Sequence, residues 1–291
     1  MAAAPAQSAT TTILLTIVAM VAFAANSLLC RLALGQHAID AASFATIRVI
    51  SGAAALSGIM LLQGNLRILG QADWRAAAML FTYVVFFTFA YVSLSAGTGA
   101  LILFGAVQLT MFIAALRSGE AFSPASWFGL ALAIAGLVYL VSPGLAAPDP
   151  VAASSMAIAG VAWGFYSLLG RGARDPLAAT TGAFVLSAPA ILAVELLSAN
   201  LGLEANSTGI WLAVVSGAIT SGLGYVIWYA ALPGLGATSA ATVQLSVPAI
   251  AALGGVLFLS EQLTLRLVIA AVATLGGVTI VLMQRAKAKG S

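Results

Sequence analysis

The chain has 291 residues, of which 62% are hydrophobic and only 7% charged, with a formal net charge of +3 and a mean hydropathy of +1.10. Soluble domains carry about a quarter charged residues, so a water-soluble fold is excluded and most of the surface must face lipid or other helices. No basic stripe points to nucleic acid, and the small positive charge suits membrane topology and anionic lipid.

Ten apolar stretches follow in chain order: Thr12 to Leu34, Ala41 to Leu62, Trp74 to Ala96, Thr98 to Leu116, Pro124 to Ser142, Val151 to Gly170, Leu177 to Ser198, Gly209 to Leu232, Ala237 to Leu259 and Thr264 to Gln284. Each is close to the roughly 20 residues that cross a 30 Å hydrocarbon core at 1.5 Å per residue. They lack the dyad alternation of barrel strands, and lipid tolerates no open sheet edge. The expected fold is therefore an all-α integral membrane protein with ten transmembrane helices.

The first stretch ends near an Ala22-Phe23-Ala24 pattern of the kind signal peptidases cut, but residues 2–12 carry no Lys or Arg, so it reads as a retained helix. Of the nine prolines only Pro189 and Pro248 lie inside stretches, and the breaker segment SPGLAAPDP, Ser142 to Pro150, sits near the middle of the chain. This divides the chain into a tail (1–11), a five-helix unit (12–142), a linker (143–150), a second five-helix unit (151–284) and a basic tail (285–291).

With both termini in the cytoplasm, the inner loops hold Arg67, Arg75, Arg117, Arg171, Arg174, Arg285, Lys287 and Lys289 against only Arg31 and Arg266 outside. That bias fits the positive-inside rule and a bacterial inner membrane. Cys30 is the single cysteine, so no intrachain disulfide can form.

The two units echo each other. Asn26 to Arg31 (NSLLCR) matches Tyr166 to Arg171 (YSLLGR) at an offset of about 140 residues, and Glu120 with Gly136 matches Glu261 with Gly277 at an offset of about 141. Five is odd, so the second copy enters the membrane from the opposite side. Inverted repeats of this kind let two halves exchange conformations around one central site.

Tyr229 to Thr238 (YAALPGLGAT), Pro248, the run SEQLT from Ser260 to Thr264 and the pair Gly276 and Gly277 resemble the EamA-type repeat of the drug/metabolite transporter superfamily. Asn26, Arg48 and Ser118 to Ser123 (SGEAFS) form a weaker first copy. The resemblance covers nearly the whole chain and implies a ten-span carrier, most similar to the amino-acid and metabolite exporters that include the YddG type of aromatic amino acid exporter. It departs from small multidrug members, which place a glutamate in their first span where this chain has Asn26.

Spans three, four, eight and nine hold no Asp, Glu, Lys, Arg or His in their interiors. A cation antiporter normally keeps a buried carboxylate, and a phosphate-ester carrier a buried Lys or Arg. A neutral or zwitterionic substrate with an apolar body is expected instead. Tyr83, Phe87 and Tyr91 share one face of span three; Tyr225, Trp228 and Tyr229 repeat the device on span eight, and Trp163 with Tyr166 add to it from span six. Such rings pair a flat apolar surface with one hydrogen-bonding group. Trp74, Trp127, Trp211 and Tyr139, near span ends, read as interfacial anchors.

Mid-span amides complete the expected substrate site: Asn26, Gln108 and Gln244 must face a partner or water. The substrate-binding set is thus Asn26, Tyr83, Gln108, Trp163, Tyr166, Tyr225 and Gln244. Pro248 cannot donate to the Gln244 carbonyl and is the expected gating hinge, with interhelical packing as the other reading. Arg48, inside span two, either meets a substrate carboxylate, or it snorkels outward or pairs with backbone carbonyls. Glu120 and Glu261 are expected to stabilise the starts of spans five and ten. Arg171 and Arg174 are expected to anchor the cytoplasmic face. Small residues on span eight (Ser216, Gly217, Thr220, Ser221, Gly222, Gly224) and span two (Ser51, Gly52, Ala55) favour close backbone approach.

These observations point to a facilitative or exchange transporter that exports amino acids, aromatic ones included, or related metabolites by alternating access. The rival within transport is a proton-coupled drug or metabolite antiporter. No enzyme is expected, because lone His37 and Cys30 cannot assemble a nucleophile and base or a metal cluster. No cofactor or metal is expected, and the expected partners are a small molecule and the bilayer, with a monomer favoured.

Overall fold

The computed structural model describes residues 9–290 apart from 66, 68, 121, 145, 171–172, 174, 199–203, 232–233 and 236–241, and gives no side chains for 285–290. The expectations for the first eight residues, for Arg171 and Arg174, for the side chains of the basic tail and for the start of span nine at Ala237 fall outside the described residues.

Among the described residues the regular structure is helical, apart from one isolated β-bridge between Ile39 and Ala205. In chain order the helices are α1 (Ala9–Gly35), α2 (Ala41–Leu62), α3 (Trp74–Ala90), α4 (Ala96–Arg117), α5 (Pro124–Val141), α6 (Pro150–Gly170), α7 (Pro176–Ser198), α8 (Ser207–Ala231), α9 (Ser246–Leu259) and α10 (Leu265–Gly290). Nine segments are long and apolar enough to cross a membrane, and α3, with 17 residues, is the short tenth. Helix starts are written locally. Asp40, Asp73, Ser95, Ser123 and Asn206 each accept a hydrogen bond from a first-turn N–H, while Pro124, Pro150 and Pro176 occupy first helical positions.

Span three ends at Ala90, six residues before the expected end. A turn through Tyr91 to Leu94 follows, and Ser95 then caps α4. Pro248 is the third residue of α9, where a missing N–H costs nothing; the break in span nine comes before it, at Leu245.

The helices pack as a repeat predicts. α5 lies on α10, α2 on α7 and α4 on α9, each against its own counterpart, while α3 on α6 mirrors α8 on α1. Register agrees at the level of single residues. A Cβ on Gly136 would strike Thr274 and the Ala270 carbonyl; shifted by the repeat offset, Gly277 meets Ala133 and the Gly129 carbonyl. Two five-helix units facing each other around a pseudo-twofold axis follow, with large apolar side chains such as Leu62, Val151, Leu197, Leu257 and Phe258 turned outward to lipid.

Candidate functional site

At the centre, α1, α3, α6 and α8 bring their polar and aromatic residues together, and α2 adds a charge. Asn26 of α1 is buried and uses both ends of its amide: Nδ2 donates to Tyr83 Oη (3.3 Å), while Oδ1 accepts from Ser216 Oγ (2.8 Å), Thr220 Oγ1 (3.3 Å) and Ser221 Oγ (3.4 Å). The geometry of α8 makes this possible. Residues Ser216–Leu223 form a π-helix. In an α-helix Ser221 would be turned about 140° away from Ser216, at 3.6 residues per turn; i→i+5 bonding returns it to the same side. The sequence analysis took these hydroxyls as packing groups only, and an α-helical spacing puts Ser216 and Thr220 on one face but leaves Ser221 off it.

The same π segment lies against α2 with almost no separation. A Cβ on Gly217 would collide with the Arg48 carbonyl oxygen and Ser51 Oγ, and one on Gly52 with the Phe184 ring. Here the expected close approach of small residues on spans two and eight is realised.

Arg48 neither snorkels nor pairs with backbone carbonyls. It is 1% exposed; Nε donates to Ser221 Oγ (3.2 Å) and Nη2 to Tyr83 Oη (3.1 Å), and the guanidinium lies 4.9 Å from the Phe87 ring centroid. Long reach makes this possible: from α2 the side chain crosses into the centre, so charge-free spans three, four, eight and nine do not make a charge-free core.

Aromatic rings wall the polar centre. Trp163 stacks on Tyr166 (5.4 Å between centroids) and touches Tyr83 (4.9 Å) and Tyr225 (4.8 Å), while Phe23 packs edge-on against Trp163, Tyr225 and Trp228. Five of the seven expected site residues, Asn26, Tyr83, Trp163, Tyr166 and Tyr225, therefore form one cluster. Gln108 is buried on α4, and Gln244 is half-buried in the short helical stretch 242–244 that precedes the break at Leu245; Asn26 is held by Tyr83, Ser216, Thr220 and Ser221. Trp74, Trp127, Trp211 and Tyr139 are exposed on the exterior.

The two ends of the cluster differ. At the end carrying Gln71, Asp73 and Pro176, a cavity of about 240 Å³ reaches inward to Tyr166, with Tyr229 and Thr180 on its wall. At the opposite end, Arg31 Nε contacts Glu261 Oε1 at 3.2 Å and Nη1 donates to the Tyr91 and Val92 carbonyls. Glu261 does not serve its own span. Both its oxygens accept from Ala96 N at the start of α4 (3.1 and 2.9 Å), where the helix dipole favours a carboxylate. Ser123 caps α5. The early end of α3 is what exposes the carbonyls that Arg31 takes. Arg266 likewise fastens α10 to α5 through the Tyr139 and Ser142 carbonyls.

Among the described residues no group of three or more His, Cys, Asp or Glu converges as a metal site.

A polytopic helical membrane protein built from two facing repeats around a polar, ring-walled centre has the architecture of a carrier. The model of the EamA-like transporter family matches residues 10–142 and again 151–283, and the chain belongs to that family. It is 50% identical over 252 residues to the uncharacterized protein PA1977 of Pseudomonas aeruginosa, covering 87% of this chain and 88% of that protein. A solved crystal structure at 19% identity superposes with a TM-score of 0.67 over 96% of this chain and 98% of the other, a likeness of fold.

Proposed function

We propose that this EamA-family transporter exports amino acids, aromatic ones included, and related small metabolites across a bacterial inner membrane by alternating access. The observation that carries the reading is the Asn26, Tyr83, Trp163 and Tyr225 cluster, assembled from both repeats, with hydrogen-bonding groups set among flat apolar rings. A molecule with one polar end and an aromatic or aliphatic body matches that lining.

The asymmetry of the two ends supports alternating access. Arg31 and Glu261 tie α1 of the first repeat to the loop between α9 and α10 of the second, so the end they occupy is shut. The cavity enters from the other end and reaches Tyr166, on which Trp163 stacks. Under the positive-inside rule the open end is cytoplasmic, because Arg67 and Arg75 flank it. Rocking of one repeat on the other would part Arg31 from Glu261 and close the cavity. Both termini then lie in the cytoplasm, and the break at Leu245 before Pro248 is the hinge on α9.

Counterflow of labelled phenylalanine into proteoliposomes holding the purified full chain tests this. Uptake driven by internal unlabelled amino acid, without an imposed proton gradient, is expected. Uptake that requires the proton gradient would replace the reading with proton-coupled antiport, and no uptake of any amino acid would overturn the substrate class.

A further inference from the structure

Resting on that reading of the central cluster, we propose that Arg48 is the anchor for a substrate carboxylate, and that the carboxylate, not an ammonium group, is what the transporter recognises.

The argument starts from an unbalanced charge. Arg48 is almost wholly buried in the membrane-spanning core, yet among the described residues no carboxylate lies within ion-pair distance of it, and the salt bridge of this chain's interior belongs to Arg31. Removing an ion from water costs several kcal/mol, which neutral partners recover only in part. Its partners are also incomplete. Nε and Nη2 are engaged, but Nη1 is buried without a hydrogen-bond partner. The Tyr225 hydroxyl, within electrostatic reach of both Arg48 and Tyr83, is a second buried group that completes no hydrogen bond. Buried polar groups are normally satisfied, and unsatisfied ones in a native core call for an explanation.

A carboxylate supplies what both lack. It brings the missing negative charge, accepts from Nη1 and from Tyr225 Oη, and suits the planar guanidinium fork. The rings of Tyr83, Trp163 and Phe23 then flank the body of the bound molecule. Among the described residues no acidic side chain hydrogen-bonds to this cluster, so a substrate ammonium finds only neutral acceptors such as Asn26 Oδ1, already shared by three hydroxyls. Nor is Arg48 explained by the repeat. Arg31 and Glu261 have counterparts in Arg171 and Glu120, whereas Arg48 falls opposite uncharged Ala188. Aromatic and aliphatic monocarboxylates are therefore substrates alongside amino acids, and amines are not.

The test uses the full chain in proteoliposomes and four competitors of labelled phenylalanine counterflow: phenylalanine, 3-phenylpropionate, phenylalaninamide and phenethylamine. The two carboxylates are expected to compete within about threefold of each other, and the amide and amine at least tenfold more weakly. Arg48→Gln should raise the half-inhibiting 3-phenylpropionate concentration at least tenfold, and Arg48→Lys should restore part of it. Should the Arg48 variants fail to fold, Tyr225→Phe removes a single hydroxyl and should raise it several-fold. Equal competition by the amide and amine, or carboxylate competition unchanged in Tyr225→Phe and in every Arg48 variant that folds, would overturn the carboxylate anchor while leaving the transporter reading standing. Loss of all counterflow in the wild-type protein would fell both.

Discussion

Asn26 hydrogen-bonds four other side chains, donating to Tyr83 and accepting from Ser216, Thr220 and Ser221. Replacing it with Leu takes the acceptor from the Ser216 hydroxyl and leaves Tyr83 with Arg48 alone, at about 1–3 kcal/mol for a buried group left unsatisfied. Asn26→Leu is expected to lower the melting temperature in detergent and to reduce counterflow at least tenfold, whereas an unchanged rate would make Asn26 a packing residue. Trp163 acts differently, through area. Trp163→Ala should raise the KM for aromatic substrates about tenfold, and Trp163→Phe should recover most of it, because the flat face and not the indole N–H meets Tyr83 and Tyr225.

At the scale of the element, the π segment of α8 is the decisive feature. It aligns three hydroxyls on Asn26 and, through Gly217, lets α8 lie directly on the backbone of α2. Gly217→Val is therefore expected to separate α2 from α8, move Arg48 off Ser221 and destabilise the protein by several degrees. Gly58→Ala is the control, since a Cβ there meets nothing within 4 Å and alanine favours a helix by about 1 kcal/mol over glycine. A melting experiment on both variants checks the contrast, and equal destabilisation would refute the close α2–α8 contact. The helix starts behind Asp40, Asp73 and Ser123 fall at the expected Ala41, Trp74 and Pro124, whereas those behind Ser95 and Asn206 come two residues earlier than expected. The end of α3 was not legible. Apolarity runs on past Ala90 without a breaker, so composition could not show that the chain turns there.

For the molecule as a whole, the repeat sets what can move. The Arg31–Glu261 pair joins the repeats across the closed end, and Cys30 lies buried one residue from it. As the single cysteine it is a ready reporter. Glu261→Gln should speed labelling of Cys30 by a membrane-impermeant maleimide from the outside, and pairing Arg31→Glu with Glu261→Arg should slow it again. Labelling unaffected by either change would mean that this pair does not hold the end shut. Labelling from the inside alone would reverse the proposed orientation.

Hydropathy and the repeat offset determined by themselves that the chain is a ten-span helical membrane protein with two related halves, since lipid leaves helices no alternative and an odd unit must invert. They also picked out Asn26, Tyr83, Trp163, Tyr166 and Tyr225, because amides and tyrosines deep in a span need partners. Tertiary structure alone decided which groups those partners are. Arg48 reaches the centre from a span that offers no other charge, Glu261 serves α4 and not the helix that follows it, and Ser221 faces Asn26 only because α8 is locally a π-helix. Each depends on how far a side chain extends or how a helix is wound between distant segments, and neither leaves a mark in the pattern of apolar residues.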